Sequence, residues 1–204
     1  MLYLIWKFIV RPILKVLYNI LGRYNRNGVA GAEPDEDNAD FEFRYDRYND
    51  GHWLFVMQSD YDCENIAIMS TLYHNDTNNV DYYQMCRRYS RISKALLRCE
   101  CLGFIQNPLY GNPLNVRCAL EELGYDVENV NPNDLSDTDN AIVLIHWYTG
   151  GIKHILFQHW IGRVGHNLWC FGDGINARQI DDAQMERFMK CRLYRICYRI
   201  KEKN

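Results

Sequence analysis

The chain has 204 residues, of which 48% are hydrophobic and 24% charged, so it can bury one sizeable core but not the cores of two full domains. Its formal net charge of −3 excludes the chain-wide basic surface that is typical of a nucleic-acid-binding protein. Eight cysteines stand at irregular intervals in a chain too long to need disulfide staples, and we therefore expect reduced thiols in a reducing compartment.

Residues 1–21 are almost wholly apolar apart from three basic side chains. Lys7, Arg11 and Lys15 recur every four residues, so a helix would carry them along one face. Three charges are costly at a bilayer centre, and Pro12 interrupts the helix. We therefore predict a basic amphipathic helix that binds the cytoplasmic side of a membrane surface, in preference to a transmembrane span.

Two alternatives for this segment stay open. Ala30–Ala32 has the small-x-small pattern of a signal-peptide cleavage site, which would imply secretion directed by residues 1–32. The helix would otherwise dock on its own domain. Residues 22–40 lose hydrophobicity and end in an acidic run, which is typical of a solvated linker, and the folded domain is expected over residues 41–204.

Within that domain, the hydrophobic pattern places helices before strands. We predict helices near 63–74, 80–98 and 113–123, strands near 141–147, 154–161, 167–172 and 191–200, and a short helix near 180–189. This order favours an α+β fold, with N-terminal helices packed on a C-terminal antiparallel sheet. The seven basic residues from Arg187 to Lys203 favour an edge position for the last strand.

The first candidate for chemistry is a cysteine at a predicted helix start. A polar loop from Gln58 runs into an apolar stretch, and Asp62 is a favourable N-cap residue. Cys63 therefore falls in the first turn, where the helix dipole and open backbone N–H groups can lower a thiol pKa from about 8.5 to roughly 3.5–7.5. A thiolate there would be a nucleophile; the structural interpretation is a small buried residue.

A predicted hairpin supplies a histidine and an aspartate. We place its turn at Gly162–Gly165, with His154 eight residues before the first glycine and Asp173 eight residues after the second. Counted outward, the two side chains face each other, and opposed Cβ atoms lie about 4.5–5.5 Å apart. A carboxylate at that distance can fix the tautomer of an imidazole. The alternative is a surface ion pair, and a β-bulge would shift the register.

We expect no metal ion and no cofactor. Cys99 and Cys101 form the only close cysteine pair, and no second pair or histidine follows at zinc-finger spacing. Three further histidines share the predicted sheet without the i, i+4 spacing of a metal motif, and we interpret them as core or edge residues: His146, His159 and His166.

Three blocks of sequence follow one another along the chain. Gln58 to Met69 contains the cysteine, Ala119 to Gly124 overlaps a predicted helix, and Ala141 to Gly174 contains the histidine and then the aspartate. In these blocks the chain resembles the papain-like peptidase domains of bacteriocin-exporting ABC transporters and their stand-alone relatives, which cleave leader peptides after a double glycine. The resemblance covers roughly residues 52–180 and implies a papain-like cysteine peptidase fold.

The resemblance also implies roles for four residues. Cys63 would attack the substrate, His154 would serve as base and then acid, Asp173 would orient His154, and Gln58 would donate to the oxyanion. This set implies a thiol hydrolase that cleaves a peptide or isopeptide bond in a peptide or protein substrate.

Two departures from the family pattern favour a second interpretation. The family usually has glycine after the nucleophile, where this chain has Glu64, and the interval from Gln58 to Cys63 is one residue shorter. A carboxylate beside the thiol would raise its pKa or crowd the substrate groove. The alternative is a catalytically silent papain-like domain that binds a peptide or partner protein. Acyl transfer is a third, because amines as well as water resolve thiol acyl-enzymes.

Overall fold

A computed structural model describes residues 2–10, 12–13, 45–47, 52–55, 63–76, 81–99, 113–147, 158–165, 168–173, 176–189 and 192–203. The helices are α1 (Leu2–Ile5, continued by a π-helix over Trp6–Val10), α2 (Cys63–Tyr73), α3 (Tyr82–Cys99), α4 (Pro113–Glu122) and α5 (Asp182–Met189). The strands are β1 (Tyr45–Arg47), β2 (Trp53–Phe55), β3 (Tyr125–Asn129), β4 (Asn140–Trp147), β5 (Gln158–Val164), β6 (Leu168–Asp173), β7 (Asn176–Asp181) and β8 (Arg192–Glu202).

The larger sheet has six strands in the order β3-β8-β4-β5-β6-β7, and every neighbouring pair is antiparallel. Strands β1 and β2 form a separate antiparallel pair. Helices α2 to α4 precede most of the sheet in the chain, so the predicted α+β class with an antiparallel sheet is confirmed.

The last strand does not lie at an edge of the sheet, and that prediction was wrong. Strand β3 lies at the edge and pairs with β8, and neighbouring carboxylates form ion pairs with an arginine of β8. Arg199 Nη2 lies 2.6 Å from Glu128 Oε2 on β3, and Arg199 Nη1 lies 3.3 Å from Asp139 Oδ2 just before β4. Arg199 thus occupies an interior strand because a carboxylate lies on each side of it.

Side chains alternate along each strand and so form two apolar clusters on opposite faces of the sheet. One cluster packs with α2 and includes Ile142, Leu144, Trp160, Tyr198 and Ile200. The other is covered by Met185 of α5 and includes Ala141, Val143, Ile145, Ile161 and Cys197. The sheet is therefore buried on both faces in its centre.

Helix α2 is the central helix of the domain. Seven successive residues from Asn65 to Thr71 are buried, which is the pattern of a helix covered on all sides. It packs against β5 so closely that a Cβ atom added at Gly162 would lie 2.8 Å from the carbonyl oxygen of Ala67 and 2.7 Å from Thr71 Oγ1. A glycine at this strand position thus allows the helix to approach the sheet.

Candidate active site

Cys63 is the first residue of α2, as the sequence predicted. Its side chain is 8% exposed and belongs to the apolar cluster on the α2 face of the sheet. Two residues later, Asn65 is buried and its Nδ2 donates to Ser93 Oγ of α3, which fixes the first turn of α2 against the neighbouring helix. The thiol is therefore held at a rigid helix start, where backbone N–H groups favour a negative group.

Glu64 is the polar neighbour of this thiol. Cys63 Sγ lies 3.6 Å from Glu64 Oε2, and the thiol donates a hydrogen bond to the carboxylate. This contact stabilises the protonated thiol and opposes a thiolate by like-charge repulsion. The helix start and Glu64 thus act on Cys63 in opposite directions.

A second cysteine and histidine, which no sequence motif marks, lie close together at the other end of α2. His74 is fully buried, with Nδ1 2.8 Å from the carbonyl oxygen of Trp53 and 3.8 Å from Cys170 Sγ. Burial raises the pKa of the Cys170 thiol to about 12, so it stays protonated at neutral pH. The Cys170 thiol is consequently a poor nucleophile, and we interpret the pair as a structural feature of the core.

The hairpin between β5 and β6 does not have the predicted register. β5 continues through the predicted turn, and Gly162 pairs with Cys170 while Val164 pairs with Leu168. Continued outward by three residues, this register would set Asp173 opposite His159, so the hairpin that predicted His154 as the partner of Asp173 is not the one observed. The prediction took Gly162 as a turn residue, whereas it lies inside the strand to make room for α2.

The other predicted site residues are only partly described. Asp173 is the last residue of β6, and its backbone pairs with Asn176 across the β6–β7 hairpin. His154 and Gln58 lie outside the described residues, as do the N-cap position Asp62 and the predicted linker over residues 22–40. Of the four predicted residues, the structure therefore places the side chain of Cys63 and the backbone of Asp173.

Taken together, the described residues define an α+β domain with a cysteine at the start of its central helix. No protein-family model matches the chain, and no curated protein matches it. Among solved structures, the chain is similar to the peptidase domain of Streptococcus ComA, a bifunctional ABC transporter involved in a quorum-sensing pathway. The identity is 15% and the TM-score 0.40, over 72% of this chain and 97% of that one. This likeness is distant and does not establish a family for the chain.

Proposed function

We propose that this chain is a papain-like thiol hydrolase that cleaves a peptide or isopeptide bond, with Cys63 as the nucleophile. The observation that carries the proposal is the position of Cys63 as the first residue of a central helix packed against β5 and β6. A nucleophilic thiol needs donors that favour its anion and a rigid setting that aims it at a carbonyl carbon. The start of a helix that packs between a sheet and a second helix would provide both the backbone donors and the rigid setting.

His154 is the proposed base. On β5, Trp160 packs in the cluster that contains Cys63, whereas His159 pairs with Ile145, which packs on the opposite face. His154 precedes Trp160 by six residues, an even interval. A strand that begins at residue 154, as the sequence predicts, would therefore direct His154 to the face of α2. His154 is therefore a better candidate than His159 for the partner of the thiol.

Asp173 and Gln58 are the proposed orienting group and oxyanion donor. Their roles rest on the family resemblance, because the hairpin turn at Gly162–Gly165 that predicted a direct pairing of Asp173 with His154 is not the turn observed. An Asp173→Asn variant tests the orienting role separately, because loss of the carboxylate should lower the rate of hydrolysis without abolishing the reactivity of Cys63.

The rate of Cys63 alkylation by iodoacetamide, followed against pH by mass spectrometry, tests the proposed nucleophile. Near pH 6, Cys63 should react at least about tenfold faster than an ordinary thiol, because a thiolate paired with imidazolium exists at a pH where free thiols are protonated. His154→Ala should abolish that advantage. Cys86, which is half-buried, serves as the internal comparison, and Cys170 should stay unlabelled.

Two outcomes would count against an enzyme. If Cys63 reacts no faster than Cys86, or if His154→Ala leaves its rate unchanged, the thiol has no imidazole partner. The silent peptide-binding domain then takes the place of the hydrolase, and the hydrogen bond from Cys63 to Glu64 is the observation that favours it. Once a cleavable peptide is found, Cys63→Ala should remove all cleavage and Cys86→Ser should retain it.

A second function concerns the N-terminal segment, which we propose binds an anionic membrane surface. Six apolar side chains along it are exposed to between 38% and 69%: Leu4, Ile5, Phe8, Ile9, Val10 and Ile13. Residues 1–32 contain no acidic side chain, and Lys7, Arg11 and Lys15 supply positive charge beside the apolar ones. This combination suits the boundary between lipid headgroups and acyl chains.

The same segment contacts the domain through an ion pair. Lys7 Nζ binds the carboxylate of Glu121 on α4, which also accepts a hydrogen bond from Arg117 Nε at 3.1 Å. No helix among the described residues is long and apolar enough to cross a membrane. The ion pair of Lys7 with Glu121 favours the interpretation that the helix docks on its own domain, and we propose that this contact orients the domain at the lipid surface.

A further inference from the structure

Two cysteines and a glutamate that the sequence keeps apart come together where α3 ends against α4. Cys99 is the last residue of α3, and Cys118 and Glu122 lie one helical turn apart on α4. Their two Sγ atoms and a carboxylate oxygen all lie within 4.8 Å of one another, and Cys118 Sγ is 3.9 Å from Glu122 Oε1. The thiols are 0% and 1% exposed, whereas Glu122 is exposed, so the cluster opens to solvent on its carboxylate side.

The packing of the two helices explains this convergence. An i, i+4 interval sets Cys118 and Glu122 on one face of α4. Ala95 and Ala119 are fully buried beside the two thiols, and their small side chains let the helices approach closely. The donors therefore converge within a largely apolar shell, which lowers the local dielectric constant and strengthens attraction between a cation and thiolates.

From this geometry we infer that Cys99, Cys118 and Glu122 form a binding site for a thiophilic divalent cation, with Zn²⁺ as the ion that the donors fit best. Two sulfurs and one carboxylate oxygen belong to the ligand types of Zn²⁺, whereas Mg²⁺ and Ca²⁺ take oxygen ligands. Bonds of about 2.3 Å to sulfur and about 2.0–2.2 Å to oxygen set tetrahedral ligand atoms roughly 3.5–3.8 Å apart. The observed separations, which are at most 4.8 Å, exceed that distance by up to about 1 Å, so ion binding would require the side chains to move closer together.

A site of this kind would link α3 to α4, and since the described residues supply three ligands, water can take a fourth position on the exposed side. The expectation of no metal from the sequence rested on the absence of a second ligand pair near Cys99 and Cys101. The additional ligands are Cys118 and Glu122 of α4. They match no zinc motif, because no histidine and no second cysteine lies near them in the sequence. Because thiols must lose their protons to bind the ion, metal affinity should rise with pH over the range in which the thiols titrate.

Titration of the reduced, chelator-treated full chain with Co²⁺ tests the site. We expect one equivalent to bind, with the sulfur-to-cobalt charge-transfer absorption of thiolate ligands, and Zn²⁺ should displace it. Cys99→Ala and Cys118→Ala should lose that absorption. Glu122→Gln should bind about tenfold or more weakly. Cys197→Ala, which removes a buried thiol on β8 outside the cluster, should bind as the wild-type chain does, and so should Cys63→Ala.

The controls separate loss of the site from loss of the fold. Glu122 is exposed, so its variant should keep the wild-type circular dichroism spectrum even if the cysteine variants unfold; Glu186→Gln on α5 repeats the charge change elsewhere. The inference is overturned if the wild-type chain takes up no Co²⁺, if Cys99 and Cys118 form a disulfide and bind no ion once reduced, or if Glu122→Gln binds as tightly as Glu186→Gln. Binding retained in Cys63→Ala also shows that the metal site and the proposed nucleophile are independent.

Discussion

Glu64 is the residue that most directly opposes the proposed chemistry of Cys63. Its carboxylate accepts the hydrogen bond of the thiol at 3.6 Å. Two unit charges about 4 Å apart interact by roughly 1 kcal/mol in water and by roughly 4 kcal/mol at an effective dielectric constant of about 20, and Cys63 is only 8% exposed, so the value in water is a lower bound. The carboxylate therefore lowers the fraction of thiolate, and the proposed nucleophile depends on an imidazolium partner to offset this repulsion.

Replacing Glu64 by glutamine should speed alkylation of Cys63 at pH 7 by at least about fivefold, because a neutral amide removes the like charge beside the thiolate. The rate is measured with iodoacetamide under native conditions. Glu186→Gln carries the same change in net charge on the exposed side of α5 and should leave the rate as it is. An unchanged rate in Glu64→Gln would show that the carboxylate does not influence the thiol.

At the scale of elements, the helices were easier to predict than the edge strands. α2 starts after a good N-cap residue, and α3 is strongly amphipathic, so local signals agree with the fold. β3 and β7 lie at the two edges of the sheet, and in β3 only Val127 is buried. Such short polar strands exist because β8 and β6 offer them hydrogen-bond partners, and the alternation of Tyr125 and Val127 with acidic residues in β3 is too short to identify a strand from the sequence.

In the predicted site, too, local sequence signals located the helix correctly but could not determine the pairing of the strands. The start of α2 at Cys63 followed from local sequence, whereas the β5–β6 register depended on whether Gly162 is a turn residue or a strand residue. That choice is made by the helix that packs against it, since the closest atoms to an added Cβ belong to α2. Tertiary contacts of this kind cannot be found from the spacing of glycines.

Gly162→Ala should destabilise the domain by about 1–3 kcal/mol, because the new methyl group meets a backbone oxygen and a hydroxyl at less than 3 Å. Urea unfolding followed by circular dichroism gives the free energy. Asn129→Ala, at an exposed position of β3, should change it by less than about 0.5 kcal/mol. Equal stability of Gly162→Ala and the wild-type chain would mean that α2 does not pack against β5 as described.

For the whole molecule, the exposed N-terminal segment predicts binding to lipid. The full chain should sediment with vesicles that contain phosphatidylserine, bind weakly to vesicles of phosphatidylcholine alone, and be released by salt. Phe8→Ser combined with Ile9→Ser should abolish binding, since both side chains are more than half exposed. Tyr83→Ser, which removes an aromatic ring that is 69% exposed on α3, is the matched control.

The competing result is self-association of the apolar segment. If size-exclusion chromatography shows a dimer without lipid, and the double serine variant is a monomer that still binds vesicles, the segment joins two copies of the chain and the membrane proposal fails. A monomer that loses vesicle binding in the same variant supports it.

The position of β8 in the sheet has a consequence for how the domain is made. Its residues come last among the described strands, yet β8 lies between β3 and β4, and Tyr125 pairs with Glu202 across 77 positions of sequence. Pairings so distant along the chain are formed late, because the intervening loop must first be closed. During synthesis, β3 and β4 therefore leave the ribosome before β8, the strand that lies between them, is available for pairing. We expect the nascent domain to acquire protease resistance only after residues 192–202 emerge.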